Sequence, residues 1–170
     1  MNLFVIIPIF LYSIMSYDYS YHSYEKNNSV DTLLFPSSKH REQSKLIYQL
    51  LTKYHYKKIE VNDSLSEKIL DKYISSLDPN REYFFSSDIN YFNQYKNQMD
   101  DYVVSGYLEP AYEIFTVYHQ RVKDRISYVF TLLENEPDFS IEESLLFDRK
   151  ESDWFSDASS MDDYWRKKIK

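Results

Sequence analysis

The stretch SLSEKILDKYISSLDPNREYFFSSDINYF, residues 64–92, decides the fold. In its first half Leu65, Ile69, Leu70, Tyr73, Ile74 and Leu77 recur at the spacing that puts them on one helical face. Ser64 and Glu67 have the separation of a capping box, in which each side chain satisfies the other residue's backbone donor. The helix must close near Asp78, because Pro79 pushes the residue before it out of helical geometry. Asp78-Pro79-Asn80 then reads as a turn, with Tyr83, Phe84 and Phe85 anchoring it in a core. Ser86 or Ser87 starts the next helix, with Asp88 near its positive end.

The same periodicity extends both ways. Segment 39–54 places Leu46, Ile47, Leu50, Leu51 and Tyr54 on one stripe. The helix after Ser87 presents Ile89, Phe92, Met99, Tyr102 and Val103, and Gly106 stands where a helix C-cap is wanted. Pro110 fits the first turn of the longest helix. That helix runs through Ala111, Ile114, Phe115, Tyr118, Val122, Ile126, Val129, Phe130 and Leu133 and stops before Pro137. Residues 138–158 read as irregular, with Phe139, Leu145, Leu146, Phe147, Trp154 and Phe155 as anchors. A last helix near 160–169 carries Met161, Tyr164, Trp165 and Ile169 and ends in Arg166, Lys167, Lys168 and Lys170, ordinary complements to a helix dipole. One-sided helices must bury their faces against one another. The expected fold is all-α, an antiparallel helical bundle or array of about five helices, occupying 39–170 as one helical domain.

Ahead of it, Leu3 to Met15 is an apolar run with the length of a signal-peptide core, short of the about 20 residues of a comfortable membrane span. No Lys or Arg precedes it and no A-x-A site follows, so residues 1–16 read as an export signal, an uncleaved short membrane segment or a buried structural segment. Residues 17–38 read as a poorly ordered linker.

Composition excludes whole classes of chemistry. The 170 residues contain one glycine, Gly106, so no P-loop, dinucleotide fingerprint or nucleophile elbow can be built. Without cysteine there is no disulfide or thiol chemistry. A net charge of -7 makes nucleic acid a poor partner. His22, His40, His55 and His119 have no metal-ligand spacing, and no cofactor is expected. The pairs Asp100-Asp101, Glu142-Glu143 and Asp162-Asp163 point about 100° apart on a helix and read as solvated charge. No serine has a visible base or oxyanion hole, so no catalytic residue is assigned.

The block Leu77-Asp78-Pro79-Asn80-Arg81, Tyr83-Phe84, Ser87-Asp88-Ile89 and Phe92 resembles the N-terminal region of tail-specific proteases, the C-terminal processing peptidases. Ile69-Leu70-Asp71-Lys72-Tyr73 belongs to the same likeness, with weaker echoes in Phe147-Asp148-Arg149-Lys150 and around Trp165. It covers about residues 40–170. Leu77, Asp78, Pro79, Asn80, Arg81, Tyr83, Phe84, Asp88 and Phe92 read as a structural corner, not as catalytic groups. The resemblance implies a periplasmic serine endoprotease of a Gram-negative bacterium; an uncleaved apolar run at residues 3–15 would associate it with the inner membrane. Such an enzyme recognises apolar C-terminal tails through a PDZ module and cuts with a serine–lysine pair. It also implies that this helical region supports the protease core and offers a docking surface to a helical-repeat lipoprotein adaptor. No residue matches the nucleophile or the base. The expectation is a truncated or split form, with the remainder of the protease as a partner if it is encoded separately, the alternative being a stand-alone helical interaction module of the cell envelope.

Overall fold

A computed structural model describes residues 34–54 and 60–170. Their helices are α1 (Ser38–Tyr54), α2 (Asp63–Leu77), α3 (Ser86–Phe92), α4 (Met99–Ser105), α5 (Glu109–Leu133) and α6 (Ala158–Ile169), with a 3-10 turn at Asn93–Tyr95. The all-α class holds: among the described residues there is no strand, only an isolated bridge between Phe85 and Phe155. The helix expected after Ser87 is divided into α3 and α4. The apolar run Leu3–Met15, the linker up to residue 33, His22 and His55 lie outside the described residues. Among the described residues no helix is long and apolar enough to cross a membrane.

The chain forms two compact units. The first holds α1, α2, α4 and the start of α5. The whole α2 stripe, Leu65, Ile69, Leu70, Tyr73, Ile74 and Leu77, is buried as its spacing predicts. The cap differs from the capping box: Asn62 Oδ1 accepts from Leu65 N at 3.2 Å, so the helix starts two residues earlier, on an asparagine that caps equally well. Polar groups buried with the stripe are matched. Ser66 Oγ accepts from Met99 N at 2.6 Å at the start of α4, and Tyr73 Oη donates to Ala111 O at 3.0 Å. Phe92, Met99, Val103, Ile114 and Phe115 complete this core.

The α1 stripe is only partly right. His40 and Ser44 are the buried residues of α1; Ser44 Oγ donates to Val103 O at 3.1 Å, and His40 Nδ1 lies 2.9 Å from Tyr112 Oη. At about 100° per residue, Ile47 and Leu51 share that face, whereas Leu46, Leu50 and Tyr54 are rotated off it and stay exposed. Gly106 ends α4 in the left-handed conformation, φ 75°, and its N–H donates to Tyr102 O. A Cβ there would stand 2.7 Å from Arg41 O, so both dihedral and space require glycine.

The second unit holds α3, the rest of α5 and α6 around Phe155, Met161, Tyr164 and Trp165. Tyr83, Phe85, Tyr128, Val129 and Leu145 pack against them. Here too periodicity overreached. Ile126, Phe130 and Leu133 of α5 are exposed, while the neighbouring face carries Arg125, paired with Asp162, and Tyr128, whose hydroxyl donates to Asp162 O. Of the expected anchors in 138–158, Phe155 is buried, but Phe139, Leu146 and Phe147 are exposed. Beside Phe155, Leu145 and Trp154, polar atoms hold the segment too: Asn80 Nδ2 donates to Phe147 O at 3.4 Å and Arg149 Nη2 to Asp153 O at 3.0 Å.

Candidate functional site

The corner is built on one carboxylate. Asp78 is 1% exposed and follows the last residue of α2. Its Oδ1 accepts from Glu82 N at 2.8 Å, and its Oδ2 from Tyr83 N at 2.8 Å and Phe84 N at 3.0 Å. Three successive N–H groups with no helix or strand to pair them are thereby satisfied. Pro79 lacks an N–H and opens the turn, which closes through Arg81 N donating to Asp78 O at 3.2 Å. Burial raises the Asp78 pKa above the ordinary aspartate value, and the Glu82 charge adds to this; the three N–H groups pull the other way.

Arg81 adopts φ 54°, the left-handed region where a non-glycine residue is uncommon. Its side chain accounts for keeping arginine there. The guanidinium donates to Ser152 O and lies 5.4 Å from the centre of the Trp154 ring. Phe84, 0% exposed, sets its ring 5.7 Å from Tyr118 and 6.0 Å from Trp154. Tyr83 meets Tyr118 at 5.6 Å and Trp165 at 5.4 Å.

Glu82, which periodicity did not single out, is the second buried carboxylate. Its Oε1 accepts from Tyr164 Oη at 2.6 Å and Asn80 Nδ2 at 3.3 Å, its Oε2 from Lys168 Nζ at 2.5 Å, and its backbone O from Trp165 Nε1 at 3.0 Å. Burial first, and then the bond to Glu82, pushes the Tyr164 hydroxyl well up. So α6 is locked to the corner through an acid that looks like surface charge in the sequence. A buried acid is expensive unless fully partnered, and this one is.

Asp88 takes its expected place in the first turn of α3. Its Oδ2 accepts from Phe85 N at 2.9 Å, and Arg121 grips it at two points, Nε to Oδ2 at 2.9 Å and Nη2 to Oδ1 at 2.8 Å. That pairing raises the Arg121 pKa. The same guanidinium lies 4.8 Å from the centre of the Phe85 ring. Asp78, Pro79, Asn80, Arg81, Tyr83, Phe84 and Asp88 thus lie together in the second unit, whereas Leu77 and Phe92 are buried in the first. Glu82 and Arg121, and the roles of Tyr164 and Lys168 at the corner, are not visible in the sequence because their partners lie 33 to 86 residues away.

Asp100, read as solvated charge, is buried at 6% exposure, whereas the acids of α6 and Glu143 are in ion pairs. Asp162 pairs with Arg125; Asp163 pairs with Lys167 at 2.6 Å and Arg166 at 2.9 Å; Glu143 binds Arg166 and, at 3.0 Å, Lys170. The buried serines Ser44 and Ser66 bond to backbone. Among the described residues no group of three or more His, Asp or Glu could hold a metal ion.

The fold and the corner define an all-α domain whose best-organised polar cluster holds backbone in shape. Comparison with known proteins makes this specific. Residues 47–170 match the family model described as the tail specific protease N-terminal domain. The chain is 34% identical over 121 residues to the tail-specific protease of Haemophilus influenzae, which is 71% of this chain and 17% of that protein. The chain therefore belongs to the tail-specific protease N-terminal domain family.

Proposed function

We propose that this chain is the helical scaffold of a tail-specific serine protease of the cell envelope, an enzyme that trims or degrades proteins from apolar C-termini. The carrying observation is the family match over 47–170, which falls on a domain whose conspicuous motif is a fully partnered corner. The chain supports the catalytic part and offers a surface to a helical-repeat lipoprotein adaptor. Export through Leu3–Met15 would bring it to the periplasm. In this reading the catalytic groups and the tail-binding module belong to other parts of the protease, of whose Haemophilus relative the chain spans 17%.

The test is reconstitution. The Haemophilus protease, deleted of the region this chain matches, is assayed on an unfolded protein ending in an apolar tail, alone and with this chain added. The chain alone should cleave nothing, and its addition should restore cleavage. Serine-directed cleavage by the chain alone, or no gain on mixing, would sink the scaffold reading.

A further inference from the structure

We propose that a second copy of this chain packs antiparallel on the α5 face carrying Ile126, Phe130 and Leu133; the inference goes beyond the scaffold reading and does not depend on it. The three residues are 51%, 66% and 60% exposed. Spaced i, i+4, i+7, they fall within about 60° of one another around the helix, in the alternating four-three spacing of a coiled-coil seam. Three large apolar side chains exposed on one helix face mark a binding surface, unlike scattered single ones.

Charge along the strip names the occupant. Lys123 lies about 60° round the helix from Ile126, on one flank of the strip. Glu134 is exposed and follows the last residue of α5. Asn135 N donates to Leu132 O at 3.3 Å, so the chain keeps turning there, and Glu134 falls about 80° from Ile126, on the same flank. The strip therefore has a cation toward its start and an acid toward its end, both on one side. A two-fold axis that reverses the helix direction sets each flank against the same flank of the copy. With Ile126 against Phe130 of the second copy, that axis passes level with Tyr128. Lys123 then stands about 7.5 Å along the helix from the axis and Glu134 about 9 Å the other way, so the two meet across the seam within about 1.5 Å of rise. Symmetry makes this pair twice. A parallel copy would set Lys123 level with Lys123 and Glu134 level with Glu134, like charge at the height of like charge. An ammonium has three donors, so bonds within its own chain leave Lys123 able to reach the copy. The strip is only about 10 Å long, smaller than an interface of about 800 Å2 per copy, so the dimer is a weak one.

The test is sedimentation equilibrium of the full chain, from about 1 µM to 1 mM, the range in which small interfaces dissociate. Salt of about 0.15 M screens the net charge of -7 on each copy beyond about 8 Å. The apparent mass should climb with concentration from 20.7 kDa toward twice that value. Phe130→Asp should weaken the association by at least about ten-fold. Its thermal unfolding should match wild type, because the residue is exposed. Leu50→Asp, on the exposed side of α1, should associate as wild type. The register is tested by charge exchange. Lys123→Glu alone and Glu134→Lys alone each set like charges against one another and should weaken the dimer about three-fold or more, whereas the double variant should regain wild-type affinity. A wild-type chain that stays monomeric up to about 1 mM overturns the inference, as does association that Phe130→Asp leaves unchanged or that Leu50→Asp abolishes. A double variant no tighter than either single one overturns the antiparallel seating. The readout is mass, so the protease reconstitution can succeed or fail without bearing on it.

Discussion

Replacing Asp78 probes the corner most directly. Asp78→Ala removes the acceptor of three backbone N–H groups, at Glu82, Tyr83 and Phe84. Leaving one buried donor unmatched costs about 1–3 kcal/mol, so the gross loss is roughly 3–9 kcal/mol. Two effects offset it: the buried carboxylate no longer has to be desolvated, and water can reach donors near the turn. About 3 kcal/mol should remain, a large share of the roughly 5–15 kcal/mol that holds a domain together. Asp78→Asn keeps one oxygen. Turned toward Tyr83 and Phe84, it preserves two bonds and sets its NH2 against Glu82 N, for a cost of about 1–2 kcal/mol. Urea unfolding followed by tryptophan fluorescence reports on the right unit, because the chain's two tryptophans, Trp154 and Trp165, are in the unit that contains Asp78. The midpoint should fall in the order wild type, Asn, Ala, with an unchanged slope. Both variants within about 0.5 kcal/mol of wild type would refute the argument that this carboxylate organises the turn.

Gly106→Ala should destabilise the first unit by about 1–3 kcal/mol in thermal unfolding, from its φ of 75° and the 2.7 Å approach of Arg41 O. Arg121→Lys should cost about 1–2 kcal/mol in urea unfolding, because an ammonium cannot reproduce the two-point grip on Asp88; full retention of stability would show the pair to be idle. The bonds of Arg166 and Lys170 hold the Glu143 carboxyl at about 2, below its ordinary value of 4.5. A depressed pKa means that ionised Glu143 stabilises the fold above pH 4.5 and that this contribution fades as pH falls from 4.5 to 2. Glu143→Gln should therefore be less stable than wild type at pH 6, with the gap closing toward pH 2; a gap constant across that range would contradict the assignment.

The legible part of this protein is local. Leu65, Ile69, Leu70, Tyr73, Ile74 and Leu77 are spaced for one face, and that face is buried. Pro79 stops α2, Gly106 stops α4, Asp88 opens α3, and each acts through its own backbone or the next few residues. The family likeness in the Asp78 block was equally readable, and residues 47–170 carry it.

Tertiary structure decided what sequence spacing leaves open, namely which of several apolar faces meets a partner. Spacing shows that Ile126, Phe130 and Leu133 share a face with each other. It carries no information on whether another element lies opposite, and here Arg125 and Tyr128 face the packed side instead. Charges behave likewise. Glu82 looks like surface acid until α6 brings Tyr164 and Lys168, 82 and 86 residues later, to it. A carboxylate's environment depends on residues distant in the chain, so the helices follow from short-range chemistry and the corner's network from the fold alone.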